Sequence, residues 1–280
     1  MKILVTGAKG QLGYDVVKEG EKRGFVMIGS DVGDCDLRDE AAVHKIVNSV
    51  RPDIVIHCAA YTAVDQAERE QELCYDVNVN GTKYVAAAAA AVGAKLIYIS
   101  TDYVFDGTGD APHSVEEVKN PVNYYGLTKS LGEDAVMAAL ERCFIVRISW
   151  VFGSNGNNFV KTMARLGREK EELSVVSDQI GAPTYTPDLA ALILDMAATE
   201  KYGVYHAANS GFCSWYDFAV KIMELSGLTA KVKPILTKDY PTAAARPRNS
   251  RLDQTKLKKN GFSVLPPWED ALRRYLTVLK

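Results

Sequence analysis

The stretch Met1-Lys2-Ile3-Leu4-Val5-Thr6-Gly7-Ala8-Lys9-Gly10-Gln11-Leu12-Gly13 decides the fold. Ile3 to Val5 is a short apolar run that reads as a buried strand. It breaks into Gly7, Gly10 and Gly13, spaced G-x-x-G-x-x-G, and a helical pattern follows. A glycine turn between strand and helix lets backbone N–H groups approach a pyrophosphate at the helix N-terminus, where the dipole favours anions. The next strand-like run, Val26-Met27-Ile28, leads to Asp31, 18 positions beyond Gly13. A carboxylate there can accept hydrogen bonds from a ribose. The pair of features predicts dinucleotide binding. Asp36 and Leu37, in the following turn, either contact the adenine or cap the helix that starts near Asp39. Lys9 could meet a 2′-phosphate that Asp31 would repel, so the choice between NADP(H) and NAD(H) is mixed.

Outward from this stretch the first half repeats one rhythm. Apolar runs recur at Ile54-Val55-Ile56, Leu96-Ile97-Tyr98-Ile99 and Phe144-Ile145-Val146, with helical spacing between them. That is a βαβ series, predicting an α/β fold with a Rossmann-type, doubly wound parallel sheet. The Ala86 to Ala91 run is a helix whose small side chains allow close approach to the sheet. Beyond about residue 150 the rhythm stops. Helices are expected near 187–199, 214–226 and 267–279, separated by runs such as Val204-Tyr205-His206. The division predicted is residues 1–150 as the nucleotide-binding domain. Residues 151–280 form a smaller substrate lobe, interleaved with the end of the sheet.

Composition narrows the class. The 280 residues are 47% hydrophobic and 24% charged, with formal net charge -2. No basic field speaks for nucleic acid or a membrane surface, and no apolar run reaches the roughly 18 residues of a membrane helix. The N-terminus shows no secretory-signal pattern. Five scattered cysteines suggest neither a disulfide framework nor a thiolate zinc site. A reducing cytoplasm is the expected compartment.

Tyr125-Gly126-Leu127-Thr128-Lys129 heads a helical stretch, so Tyr125 and Lys129 project from one face. An ammonium beside a phenol is expected to lower its pKa from about 10 and make it a general acid near neutral pH. Thr101 closes strand 4 at the carboxyl edge, where open α/β sheets bind ligands. The order along the chain resembles the extended short-chain dehydrogenase/reductase superfamily. Further blocks narrow it. His57-Cys58-Ala59-Ala60-Tyr61-Thr62, Ser100-Thr101-Asp102-Tyr103-Val104-Phe105, Ser149-Trp150-Val151-Phe152-Gly153 and Ala245-Arg246-Pro247-Arg248-Asn249-Ser250 resemble the dTDP-4-dehydrorhamnose reductase family.

The resemblance implies reduction of a 4-keto sugar nucleotide by NADPH, with NADH as a second cofactor. Tyr125 is the implied proton donor, Lys129 its partner and Thr101 the hydroxyl that polarises the ketone. Gly10, Gln11 and Leu12 are implied at the pyrophosphate, Asp31, Asp36 and Leu37 at the adenosine, and Ala60, Tyr61 and Thr62 beside the cofactor. Thr101, Asp102 and Trp150 are implied at the sugar nucleotide, with Asn78 as a tie near the site and Arg246 as a partner of the diphosphate. Asn158 and Arg246 are expected to close the lobe over that diphosphate. Some family members hold magnesium between subunits on acidic residues. This chain has Asp15, Pro187 and no acidic tail at Lys280, so no metal is expected, and monomer and homodimer both stay open.

Rival readings exist. Superfamily dehydratases place Asp-Glu after the threonine, whereas this chain has Asp102-Tyr103, which favours a reductase over a dehydratase or epimerase. A related fold serves as an NADP-binding regulatory subunit of methionine adenosyltransferase. Intact Thr101, Tyr125 and Lys129 argue against a purely binding role.

Overall fold

A computed structural model describes residues 1–279. Six parallel strands form its central sheet: β1 (Lys2–Thr6), β2 (Val26–Ser30), β3 (Ile54–His57), β4 (Lys95–Thr101), β5 (Cys143–Ile148) and β6 (Gly203–His206). Their order is β6-β5-β4-β3-β1-β2, the doubly wound arrangement. Strand 2 stops at Ser30, so Asp31 lies just past its end. The Val204-Tyr205-His206 run, placed by the sequence in the second half, pairs with β5 and completes the sheet.

Each strand feeds two cores because successive side chains point to opposite faces. Ile3, Val5, Ile56, Ile97 and Val146 pack against α1 (Gln11–Lys22) and a later helix, Thr186–Ala197. Leu4, Val55, Leu96, Tyr98 and Ile145 pack on the other side, against helices Glu40–Val50, Gly81–Ala91 and Tyr124–Ala139. Ala86, Ala88 and Ala89 are essentially without solvent exposure, and their small side chains let the helix sit close to the sheet. Asp39 caps helix Glu40–Val50 by accepting the Ala42 N–H at 3.1 Å. Asp36 is therefore not the cap; its carboxylate instead takes the Arg38 guanidinium at 2.6 Å.

A third core belongs to the lobe, where helices Phe159–Glu169, Trp215–Ser226 and Trp268–Val278 meet. Phe152, Phe218, Trp268 and Tyr275 fill it. Ser214 and Asp217 form a reciprocal cap at the head of Trp215–Ser226, and Gly227, at φ 66°, ends that helix.

Helix α1 starts where the glycine turn is most crowded. A Cβ on Gly13 would lie 2.1 Å from the Gly7 carbonyl oxygen and 2.9 Å from the Ala8 Cα, both backbone atoms that cannot swing away. Alanine is the better helix former by about 1 kcal/mol, whereas forcing atoms into a packed site costs about 1–3 kcal/mol. Gly13→Ala is therefore expected to lower the melting temperature by several degrees. An equal or higher value, read by differential scanning calorimetry, would show that the turn relaxes.

Candidate active site

The carboxyl ends of β1, β3, β4 and β5 open into one cleft of about 790 Å³. The glycine turn forms its floor. Gly10 is the N-cap of α1 and offers no capping side chain, and the first turn of α1 carries no acidic residue. The unpaired N–H groups of that turn are thus free to bind an anion. Gly7, at φ 67°, stands against Ala59, where a Cβ would come within 2.7 Å of its backbone. These are the features a pyrophosphate cradle needs.

Asp31, Asp36 and Leu37 border the cleft past the end of β2, together with Ser30, Val32 and Cys35. Asp31 also has a local duty. Its Oδ2 accepts the Lys9 backbone N–H at 2.9 Å, and its Oδ1 accepts the Val32 N–H at 2.9 Å. The carboxylate thereby ties the glycine turn to the end of β2. Ala60 and Thr62 also border the cleft, beside Cys58 and Ala59.

Two expected cofactor residues do not line it. Gly13 serves the packing just described. Tyr61 points its hydroxyl to Glu70 Oε2 at 2.6 Å, while its backbone pairs with Asn78. The Asn78 side chain accepts the Tyr61 N–H at 2.8 Å and donates to the Tyr61 carbonyl at 3.1 Å and to Thr128 Oγ1 at 3.0 Å. It sits in a π-helical turn, Asp76–Asn80, and joins the segment after β3 to the helix of the Tyr-Lys pair. That is the tie expected of it.

Thr101, Asp102, Tyr125 and Lys129 meet in the cleft. Asn123 starts their helix by accepting the Gly126 N–H at 2.8 Å. The helix is anchored from below. Glu133 accepts two hydrogen bonds from Arg147, each 2.8 Å, and one from the Ser100 hydroxyl at 2.6 Å. Burial works against the Glu133 carboxylate, but the Arg147 guanidinium holds it below the usual carboxylate range.

The electrostatics correct one expectation. The Tyr125 pKa is raised, by burial first and by the neighbouring Asp102 carboxylate second; the Thr101 hydroxyl offsets this in part. Lys129 does not lower it. Burial pulls the Lys129 ammonium itself down to about 7, against the attraction of Glu133, so it carries only part of its charge at neutral pH. Its Nζ lies 4.0 Å from the centre of the Tyr98 ring.

Asp102 is the other perturbed group. Burial raises it to about 6, with Ser250 and Thr101 favouring the ionised form. Thr101 donates to its Oδ1 at 3.0 Å, whereas its buried Oδ2 has no hydrogen-bond partner.

Trp150 borders the cleft, but its indole is not an open platform. Trp215 stacks on it with ring centres 3.7 Å apart and planes 13° apart. Trp215 also lines the cleft, and no sequence motif marked it. Arg246 is held elsewhere: it donates to Asp65 Oδ2 at 2.7 Å and does not border the cleft. Asn158 caps the helix Phe159–Glu169 and donates to Gln11 Oε1 at 3.2 Å and Tyr275 Oη at 3.0 Å. It fastens the lobe to the glycine turn rather than facing the cleft.

A family model described as the RmlD substrate binding domain matches residues 1–280. The spore coat polysaccharide biosynthesis protein SpsK of Bacillus subtilis (strain 168) is 40% identical over 275 residues, covering 98% of this chain and 96% of that protein. A crystal structure of a dTDP-4-dehydrorhamnose reductase from Clostridium acetobutylicum has TM-score 0.98 and 44% identity, covering 100% of this chain and 99% of the other. The dTDP-4-dehydrorhamnose reductase of Bacillus anthracis str. Ames, solved in complex with NADP, has TM-score 0.97 and 45% identity, covering 99% and 100%. With a full-length family match behind the glycine turn and the threonine-tyrosine-lysine cluster, the chain belongs to the RmlD substrate binding domain family, alongside these dTDP-4-dehydrorhamnose reductases.

Proposed function

We propose that this chain reduces the 4-keto group of dTDP-4-dehydro-L-rhamnose to the alcohol of dTDP-L-rhamnose, using NADPH and, less well, NADH. One observation carries the reading: a phosphate-binding glycine turn and the group Thr101, Tyr125 and Lys129 share a single cleft. The residues fit the cofactor, because the α1 N-terminus is uncapped by any side chain and the turn has no room for a Cβ at Gly7 or Gly13. NADPH, when bound, supplies the hydride.

The chain's own residues handle the oxygen and its proton. Tyr125 stays protonated at neutral pH because burial disfavours the phenolate, so it is an acid with its proton in place. The Thr101 hydroxyl, which donates to Asp102 Oδ1 in this structure, turns to hold the ketone oxygen at the same wall. Lys129, on the same helix face and bordering the same cleft, would hold a ribose hydroxyl of the nicotinamide half in its cationic form. Asp102 borders the same wall and holds the Thr101 hydroxyl in place before the substrate arrives.

Loss of NADPH absorbance on adding dTDP-4-dehydro-L-rhamnose, against UDP- and GDP-linked 4-keto sugars, tests the substrate. Turnover restricted to the UDP or GDP sugars would overturn it. Tyr125→Phe is expected to slow turnover by about 100- to 10,000-fold with NADPH still bound, whereas Tyr124→Phe changes little. Near-native turnover in Tyr125→Phe would remove Tyr125 from the proton's path.

A pH dependence follows from Lys129. Below its pKa of about 7 the ammonium is present, and above it the amine is neutral. The kcat/KM value, which reports the free enzyme, is expected to fall on the alkaline side with an apparent pKa near 7. Folding has the opposite sign. The unfolded chain holds the lysine proton up to about 10.4 and the folded chain releases it near 7, so the cost of burying the charge is largest below 7 and fades as pH rises. Lys129→Met should therefore raise the melting temperature more at pH 6 than at pH 9, by thermal unfolding at both.

Cofactor choice turns on Asp31. Its replacement in Asp31→Ala removes repulsion of a 2′-phosphate and an acceptor for the ribose. The ratio of kcat/KM for NADPH over NADH is expected to rise about tenfold, equivalent to about 1.4 kcal/mol. An unchanged ratio with both values lowered would mean that the carboxylate serves only the glycine turn.

A further inference from the structure

Among the described residues two non-glycines have positive φ, Arg51 at 44° and Trp150 at 48°. Arg51 ends a helix, where such a conformation is ordinary. Trp150 ends no helix. It lies just past β5, after Ser149, and its bulky side chain disfavours this region, which makes it a held conformation rather than an idle one. The unusual backbone delivers the indole to the lobe, onto Trp215 at the first turn of Trp215–Ser226.

Trp215 is itself fixed. Phe159 lies 4.5 Å from it, centre to centre, and Phe218 6.4 Å. Gly181 holds Trp150 from another direction, where a Cβ would stand 2.7 Å from Cε2 and 2.9 Å from Cζ2. Both indoles border the same cleft as Thr101 and Asp102.

We propose that Trp215 is a positioning residue for the sugar end of the cleft: by stacking on Trp150 it locks that indole as a fixed wall of the site. The inference rests on the reading that this end of the cleft receives the sugar nucleotide. With one face of Trp150 covered by Trp215, the wall does not offer that face to the sugar. Trp150 comes from the segment just past β5 and Trp215 from a lobe helix, so the stack ties that segment to the helix. Without Trp215, Gly181 restrains Trp150 from one side alone and the strained backbone can relax.

The chain has three tryptophans, and the third, Trp268, is buried in the lobe core. Stacked indoles give an exciton couplet in circular dichroism, and it should vanish in Trp215→Leu, Trp215→Phe and Trp150→Ala. Trp215→Leu is expected to raise KM for the dTDP-4-keto sugar about 3- to 10-fold, the range an aromatic pair supplies, with the calorimetric Kd of NADPH unchanged. Trp215→Phe keeps a stacking ring and should return KM to within about twofold of native. In a Trp150→Ala background Trp215→Leu should add nothing, because its effect runs through Trp150.

A native KM in Trp215→Leu overturns the inference. So does its full effect persisting in the Trp150→Ala background, which would make Trp215 a direct contact. Equal weakening of NADPH binding would make it a residue of the fold alone. A native chain without the couplet sinks the inference and leaves the proposed function standing. A native chain with the couplet that binds no dTDP-L-rhamnose sinks both.

Discussion

The site depends on a buried ion pair two turns away from its chemistry. Glu133 has no solvent exposure and Arg147 little, and together they join the helix Tyr124–Ala139 to β5, while Ser100 joins it to β4. Removing one partner of such a pair leaves an uncompensated charge and costs about 3–5 kcal/mol. The pair has directional value as well. Two parallel hydrogen bonds from a planar guanidinium fix rotation as well as distance. Tyr125, Lys129 and Glu133 lie at intervals of four on one helix face, so fixing Glu133 sets the azimuth of the other two. Tyr98 presses on the same face: a Cβ on Gly132 would lie 2.3 Å from its hydroxyl.

What the sequence disclosed was mostly local. Five strands, the glycine turn and the late helices follow from periodicity and punctuation, which act within a dozen residues. The Tyr125–Lys129 pairing follows from helix geometry. The sixth strand was visible as an apolar run, but its place beside β5 is a matter of tertiary pairing. Arg246 looked available for an anion because Asp65, its partner, stands 181 positions away. Tyr61 and Gly13 were named by motif membership. The fold uses one for a hydrogen bond to Glu70 and the other for clearance at Gly7.

Charge states were the least readable. A neighbouring lysine was expected to lower the Tyr125 pKa, yet both groups are dominated by burial. Burial disfavours a phenolate and an ammonium alike, so it keeps the acid protonated and leaves its partner only partly charged. Burial of that kind cannot be read from spacing. Trp215 escaped for a related reason: a tryptophan just after a helix cap reads as core, and only the folded lobe brings it onto Trp150.

The sheet's last strand has a consequence for how the chain is made. β5 ends at Ile148, yet its outer neighbour is not available until Gly203–His206, and residues 149–202 build much of the lobe in between. During synthesis the half that carries β1 to β5 therefore emerges with one edge of its sheet bare, a row of unpaired N–H and C=O groups along Phe144-Ile145-Val146-Arg147. Such long-range parallel pairing is slow to form. The interval before residue 206 leaves the ribosome is the chain's period of greatest exposure to edge-to-edge aggregation, and a chaperone that shields strand edges would act there.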